Sequence, residues 1–269
     1  GDYLPSGGRA WIDGHHVVHD RQRVHESMGY CPQADPLIEL MTARETLVMF
    51  ARLKNLPERS IPQVVQALLD KVTLTPYADR VCGSYSGGNK RKLSLAIALV
   101  GSPAVIFLDE PSSGMDPKSR RKMWDIIMKE RTLRSIVLTT HSMEEADVLS
   151  SRIAIMTSGR TRIVDTPQAL KARFGKGYVL CIDFSPQSEL SANLFVQRCL
   201  GAKVEPVELT RLTAKYELGS DCRLVARLFV EMHEESRAHG ITHWGVSQSR
   251  LNDVFMQVVG EAADDDQAV

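Results

Sequence analysis

Residues 104–110 read Ala-Val-Ile-Phe-Leu-Asp-Glu, an unbroken apolar run between Pro103 and a pair of carboxylates. A short apolar run with such boundaries is typical of a strand buried on both faces of a parallel sheet. In open α/β sheets, ligands bind at the carboxyl ends of the strands. The stretch therefore predicts a central strand that delivers Asp109 and Glu110 to a binding site.

The same pattern recurs on both sides of this stretch. Apolar strands are predicted at residues 135–140 and 152–156, after helices at 117–130 and 143–150, and another short strand at 28–33 leaves the core through Pro32. Alternating strands and helices predict an α/β domain with a parallel sheet. Between residues 33 and 104 the pattern is helical, which predicts a helical insertion in this domain.

The order of elements changes after residue 177. Strands are predicted at 178–184, 203–209, 212–218 and 241–247, helices at 189–200 and 223–239, and a last helix at 251–259. This β-α-β-β-α-β order is the ferredoxin-like pattern. The expected organisation is an α/β domain over residues 1–175 with a helical subdomain at about 38–100, a ferredoxin-like domain over 176–260, and an acidic tail over 261–269.

Bulk composition excludes several classes of protein. Lys plus Arg and Asp plus Glu both number 33, so no global field attracts nucleic acid or an anionic membrane. The five cysteines never form C-x-x-C, which argues against a disulfide framework or a zinc site. The most apolar stretch, residues 93–108, is interrupted and shorter than the roughly 20 residues that a bilayer crossing needs.

Three polar side chains are predicted at the carboxyl edge of the sheet. Asp109 suits a Mg²⁺ ion, and Glu110 suits a general base that polarises an attacking water. His141 follows the strand at residues 135–140, in reach of a γ-phosphate. The alternatives are that the carboxylates cap a helix and that the histidine is structural.

A glycine pair stands at a predicted helix start, in the sequence Ser86, Gly87, Gly88, Asn89. A hydroxyl, bare backbone N–H groups and the positive end of a helix dipole together fit a phosphate. An ordinary turn before a helix is the alternative. The basic triplets at 90–92 and 120–122 are interpreted as solvated helix faces.

These residues resemble the nucleotide-binding domain of ATP-binding-cassette (ABC) transporters over roughly residues 1–175. The matching motifs are the signature at 85–90, the Walker B strand at 104–110, the D-loop at 113–116, the H-loop His141 and the Q-loop Gln33. Within the family, the segments 85–94, 114–117 and 141–146 are most similar to the second nucleotide-binding domain of the A subfamily of lipid transporters. The C-terminal block resembles the regulatory domain of that subfamily.

The resemblance implies an ATPase that uses ATP and Mg²⁺. It implies that Asp109 and Gln33 contact Mg²⁺, that Glu110 is the catalytic base, and that His141 contacts the γ-phosphate. It also assigns nucleotide contacts to the signature residues Ser86, Gly87, Gly88 and Asn89, to Gln33 and to Asp116. The implied partners are a second nucleotide-binding domain and transmembrane domains, at the cytoplasmic face of a membrane.

One departure from the family concerns the phosphate loop. No G-x-x-x-x-G-K-[ST] sequence occurs in the 269 residues, so the backbone cradle and its lysine are missing. We therefore expect a piece of a longer protein, truncated after this loop and inactive alone. The alternatives are a soluble cassette ATPase of ribosomes or DNA, and a non-catalytic cassette. We expect no nucleic acid partner, because the strand at 212–218 lacks stacking aromatics.

Overall fold

The structure is a computed structural model that describes residues 4–175, 177–201, 204–219 and 221–267, without the side chains of Cys222 and of residues 261–267. The chain forms two compact units, Gly1–Leu149 and Ser150–Val269. The predicted domain bounds, with their division after residue 175, stay a prediction.

The first unit alternates strands and helices in the predicted order. Its elements are β1 (Trp11–Ile12), β2 (His15–His16), α1 (Arg21–Ser27), β3 (Met28–Cys31), α2 (Ala43–Leu53), α3 (Ile61–Lys71), α4 (Gly87–Ala98), β4 (Val105–Asp109), α5 (Pro117–Glu130), β5 (Ser135–Thr139) and α6 (Met143–Leu149). Helices α2, α3 and α4 confirm the helical insertion between two strands of one sheet.

Local sequence explains where two of these helices begin. At α2, the backbone N–H of Glu45 donates to the Thr42 hydroxyl at 3.2 Å, and the Glu45 carboxylate accepts from the backbone N–H of Thr42 at 2.8 Å. This reciprocal capping box confirms the prediction. At α4, the Ser86 side chain accepts from the backbone N–H of Asn89, so Ser86 is the N-cap that was predicted.

Strands β3, β4 and β5 form the predicted parallel sheet, in that order. The prediction that β4 is buried on both faces is wrong, because only Ile106 and Leu108 are buried and their neighbours are half-buried. Strand residues alternate between faces, so one face packs on the core of this unit. The other face presents Tyr30, Phe107 and Val137, the last 48% exposed.

Helix α4 packs on β3 at an unusually short distance. A Cβ at Gly29 would lie 2.0 Å from the carbonyl oxygen of Ala98, a separation that no side chain tolerates. Glycine is therefore required at position 29 by the backbone of the helix itself. This approach fixes the depth at which α4 crosses the sheet.

The second unit begins with a hairpin that the sequence did not predict. It contains β6 (Ile153–Thr157), β7 (Arg160–Asp165), α7 (Pro167–Phe174), β8 (Tyr178–Phe184), α8 (Glu189–Leu200), β9 (Glu208–Leu209), β10 (Thr213–Gly219), α9 (Cys222–Glu235), β11 (Ile241–Gln248) and α10 (Leu251–Gln267). Strand β6 was predicted to repeat the parallel pattern, which is wrong. It pairs antiparallel with β7, since Ser158 and Gly159 take the positive φ of a tight turn.

The remaining strands confirm the ferredoxin-like prediction. Sheet order is β11-β8-β10-β9, with all neighbours antiparallel. Helices α8 and α9 contribute Phe195, Leu228 and Met232 to a core shared with Ile182 and Tyr216 of the sheet. The start of the strand predicted at 203–209 falls partly on residues outside the description, and the observed β9 holds only its last two residues.

Helix α10 continues to Gln267, beyond its predicted end at Val259 and through most of the predicted tail. Alanine and glutamate are good helix formers, so a segment whose composition suits solvation can also continue a helix. Among the described residues, no helix is both long and apolar enough to cross a bilayer.

We predict that Gly29→Ala lowers the free energy of unfolding by about 1–3 kcal/mol, because its methyl group would overlap the helix backbone. Urea unfolding of the chain measures this change. The matched control is Gly87→Ala, where a Cβ meets nothing within 4 Å and the expected change is within about 0.5 kcal/mol. Equal effects of the two substitutions would contradict the packing argument.

Candidate functional site

Three strand ends place the predicted residues at one edge of the sheet. The register pairs Cys31 with Leu108 and Asp109 with Thr139, so β3, β4 and β5 end level with one another. Gln33 follows β3, Asp109 and Glu110 end β4, and His141 follows β5. The structure brings these four residues to one edge, as the sequence predicted.

Glu110 and His141 are in direct contact. The Glu110 carboxylate accepts the backbone N–H of His141 at 2.9 Å, and its second oxygen lies 2.8 Å from His141 Nδ1. The carboxylate is 16% exposed, whereas the histidine side chain is 78% exposed. One imidazole nitrogen thus orients the carboxylate, and most of the ring faces solvent.

The backbone of Glu110 adopts a conformation that non-glycine residues rarely take. Its φ is 49°, and its N–H donates to the carbonyl oxygen of Thr139 at 3.0 Å. Residues held in this region carry strain and often lie in binding sites. The neighbouring Asp109 carboxylate accepts the Thr139 hydroxyl at 2.5 Å, and the next helix, α5, begins at Pro117 with Asp116 as its N-cap, so Asp109 does not cap that helix.

The glycine pair forms the exposed start of α4. Added to Gly87, a Cβ would meet nothing within 4 Å, while at Gly88 it would lie 3.3 Å from the Ser119 hydroxyl oxygen. Gly88 is therefore explained by packing against the start of α5. Gly87 has neither a positive φ nor a close neighbour, so nothing within the described chain requires a glycine there.

Asp116 lies at the start of α5, as its N-cap. One carboxylate oxygen accepts the backbone N–H groups of Lys118 and Ser119, each at 3.0 Å. Hydrogen bonds from the Ser119 side chain and backbone, with a smaller effect from Lys118, hold the pKa of Asp116 below its ordinary value. The hydrogen-bond partners of Asp116 are therefore backbone N–H groups in the first turn of α5, and its contact with a nucleotide stays a prediction.

Arg91 is the residue that sequence reasoning missed. The triplet at 90–92 was interpreted as a solvated face, which is wrong for Arg91 and Lys92, only 3% and 6% exposed. Arg91 donates to backbone carbonyls after β3 and after β4, including those of Gln33 and Glu110. No sequence signal identified Arg91, because a basic triplet has the same composition whether it is solvated or bonded to carbonyl oxygens.

A cleft of about 610 Å³ lies on the open face of the sheet, lined mainly by apolar residues that include Val24, Tyr30 and Phe107. It contains none of the predicted site residues. Within the described part of the chain, no cluster of three or more His, Cys, Asp or Glu has a metal-binding arrangement.

Comparison with known proteins connects this edge to a family. Residues 1–113 match the family model described as ABC transporter. The chain is 46% identical over 258 residues to ATP-binding cassette sub-family A member 7 of Mus musculus, and 44% to the human phospholipid-transporting ATPase ABCA7. It belongs to the ABC transporter family. The cassette resembles those of the A subfamily along 95% of this chain, which agrees with the motifs at the sheet edge.

Solved ABC structures share the fold. A dimeric post-hydrolysis cassette bound to ADP and Pi matches with a TM-score of 0.54 at 22% identity, covering 60% of this chain and 74% of that one. The cbiO1 component of the cbiONQ ABC transporter complex of Clostridium perfringens matches with a TM-score of 0.58 at 24% identity, covering 64% and 71%. The chain spans only 12% of the length of the mouse and human relatives.

We predict that Cys31, at the end of β3, makes stability fall in alkali. Burial, partly offset by the Arg91 charge, raises the pKa of its thiol from 9.0 to about 11. The unfolded thiol ionises first as pH rises, so its contribution, on the order of 1–2 kcal/mol, is complete below pH 9 and lost through about pH 11.

Urea unfolding at pH 8 and at pH 11 measures this loss. Cys31→Ala is expected to flatten the decline, whereas the control Cys181→Ala, at a partly exposed cysteine, is expected to keep it. A decline that is unchanged in Cys31→Ala would contradict this assignment.

Proposed function

We propose that this chain is part of an ATP-hydrolysing cassette that powers a membrane transporter of lipids. The contact between Glu110 and His141 at the carboxyl edge of the sheet carries the proposal. A carboxylate held by two donors beside an exposed imidazole is suited to general-base chemistry on a phosphate ester. Membership in the ABC transporter family supports the same chemistry.

In this proposal Glu110 polarises the attacking water. Both carboxylate oxygens are oriented by His141, through its backbone N–H and Nδ1, which leaves the rest of the ring for the γ-phosphate. A base and a phosphate contact that are held on adjacent strand ends lower the barrier of the reaction, because the reacting groups need not be brought together first. The left-handed backbone of Glu110 directs its carboxylate toward the same edge.

The residues present fit Mg²⁺ and ATP. Asp109 would supply one carboxylate and Gln33, on the neighbouring strand end, a side-chain amide oxygen, both of them oxygen ligands of the kind that Mg²⁺ takes. When bound, Mg²⁺ neutralises charge on the phosphates. Thr139 holds the Asp109 carboxylate through the 2.5 Å hydrogen bond.

The signature half of the cassette serves a second nucleotide. The start of α4 carries the N–H groups of Gly87 and Gly88, which have no acceptor within the described part of the chain, and the positive end of a 12-residue helix, with a hydroxyl at Ser86. Free space at Gly87 supports close approach by a phosphate from outside the chain. We propose that a second cassette supplies this ATP, with contacts from Ser86, Gly87, Gly88, Asn89 and Asp116.

Isolated, the chain is proposed to be inactive. No phosphate-loop sequence occurs in its 269 residues, so the lysine and backbone cradle that hold β- and γ-phosphates must come from elsewhere in the protein. Its relatives are several times longer than this chain. We propose further that the whole protein contains transmembrane domains and that this cassette lies at the cytoplasmic face of a membrane. We also propose a regulatory role for the ferredoxin-like domain.

Relatives of the A subfamily indicate the transported class. The human proteins 44% and 40% identical to this chain are named phospholipid-transporting ATPases, and the chain spans 12% and 15% of their lengths. We propose a phospholipid or a similar lipid as the cargo of the whole protein. Because these relatives are named as transporters, we favour a transporter over a soluble cassette ATPase that acts on ribosomes or DNA.

We predict that Glu110→Gln in the whole protein lowers ATP turnover by about 10²–10⁴-fold, since amide cannot act as a general base. Release of phosphate measures the rate, in membranes or liposomes. Glu144→Gln, an exposed glutamate at the start of α6, is the matched control and is expected to retain turnover. Full activity of Glu110→Gln in the whole protein would contradict the assignment of Glu110 as the base. If the isolated chain hydrolysed ATP and Glu110→Gln abolished that turnover, the proposal that the isolated chain is inactive would be refuted.

A further inference from the structure

Arg91 is a buried cation in the second turn of α4, and its guanidinium is saturated by hydrogen bonds. Every guanidinium nitrogen donates at least once. The acceptors are the carbonyl oxygens of Pro111 (3.0 Å), Pro32 (2.5 Å), Gln33 (3.0 Å), Asp109 (2.5 Å) and Glu110 (2.9 Å), and the carboxylate of Asp35 (3.3 Å).

These acceptors belong to two segments that are far apart in sequence. One follows β3 and contains Gln33, and the other follows β4 and contains Glu110. Arginine presents its donors in a rigid planar fork, so the guanidinium fixes the spacing of the two segments as well as their charge environment. Lysine keeps the charge but has a single nitrogen and no fork.

The contact at Glu110 acts on a strained residue. Arg91 is only 3% exposed, so solvent offers it little alternative, and it donates to the carbonyl oxygens of the two peptides that flank the Cα of Glu110. The positive φ of Glu110 must be maintained by surrounding structure. Arg91 is thus placed to maintain the backbone that aims the Glu110 carboxylate.

Helix α4 connects this network to the signature. Its first turn begins at Ser86 and Gly87, and Arg91 lies one turn further on the same rigid helix. In a closure over a nucleotide, the start of α4 would pivot about its packed end at Ala98 and would move the guanidinium with it. The same fork then moves the carbonyls of Gln33 and Glu110.

We propose that Arg91 is a positioning residue that links the signature contact with a partner's ATP to the placement of Glu110 and Gln33 in its own cassette's site. This inference rests on the proposed function of Glu110 and of the signature. Arg91 itself touches no reacting atom. Its effect is on the alignment of the base, and so on turnover more than on nucleotide affinity.

Arg91→Lys in the whole protein tests this role. We expect kcat for ATP hydrolysis to fall about 10-fold or more while KM for ATP changes less than about 3-fold, because alignment is lost and ground-state binding is not. The matched control is Arg134→Lys, another largely buried arginine that bonds a carbonyl oxygen, that of Pro103, and an acidic partner, Glu130. Its kcat is expected to stay within about 2-fold of wild type.

A double-mutant cycle distinguishes transmission from the signature to Glu110 from a role of Arg91 in local structure alone. Ser86→Ala is made alone and together with Arg91→Lys, and kcat is measured for each protein. If Arg91 transmits the signature contact, Ser86→Ala lowers kcat much less in the Arg91→Lys background than in wild type. Fully multiplicative losses, or equal kcat losses for Arg91→Lys and Arg134→Lys, would overturn the proposal.

Asp35→Asn covers the case in which Arg91→Lys does not fold. It leaves the arginine and its carbonyl contacts in place and removes the charge from the anchor at 3.3 Å, while the amide oxygen of asparagine can still accept the Ser94 hydroxyl that Asp35 accepts at 2.7 Å. A lower kcat at constant KM supports the proposal, and an unchanged kcat overturns it.

Glu110→Gln, measured in parallel, distinguishes failure of this inference about Arg91 from failure of the proposed function. Loss of turnover in Glu110→Gln together with wild-type kcat in Arg91→Lys overturns only this inference. Normal turnover in Glu110→Gln overturns the proposed function, and this inference with it.

Discussion

Helix α4 lies so close to strand β3 that a Cβ at Gly29 would come within 2.0 Å of the carbonyl oxygen of Ala98. This approach sets the position of the whole helix, since an α-helix moves as a rigid element. One end of α4 carries the exposed glycine pair. One turn further along α4, Arg91 donates to backbone carbonyl oxygens that follow β3 and β4. The site therefore depends on a packing contact in which no site residue takes part.

Two kinds of recognition follow from that placement. At the sheet edge, a carboxylate is oriented by His141 and aimed by a strained backbone, which suits chemistry on a bound phosphate. At the helix start, two N–H groups without an acceptor among the described residues, those of Gly87 and Gly88, and the free space at Gly87 suit an anion that arrives from outside. The proposed cassette dimer uses both, each for a different nucleotide.

Much of this arrangement could be predicted from sequence because it is local. Capping at Thr42 and Ser86, and apolar runs that end in polar residues, define the elements and the sheet edge without knowledge of packing. The pairing of β6 and the burial of Arg91 depend on partners distant in sequence. A basic triplet gives the same composition whether it is solvated or bonded to carbonyls, so only the structure distinguishes the two.

The central claim is that one chain contributes to two ATP sites. The most direct test is a structure of the whole transporter carrying Glu110→Gln, determined with ATP and Mg²⁺. We predict that the Ser86 hydroxyl lies within about 3.5 Å of a γ-phosphate held by the other cassette, while residue 110 and His141 flank a second ATP. A structure in which Ser86 and residue 110 of this chain surround the same nucleotide would contradict the account.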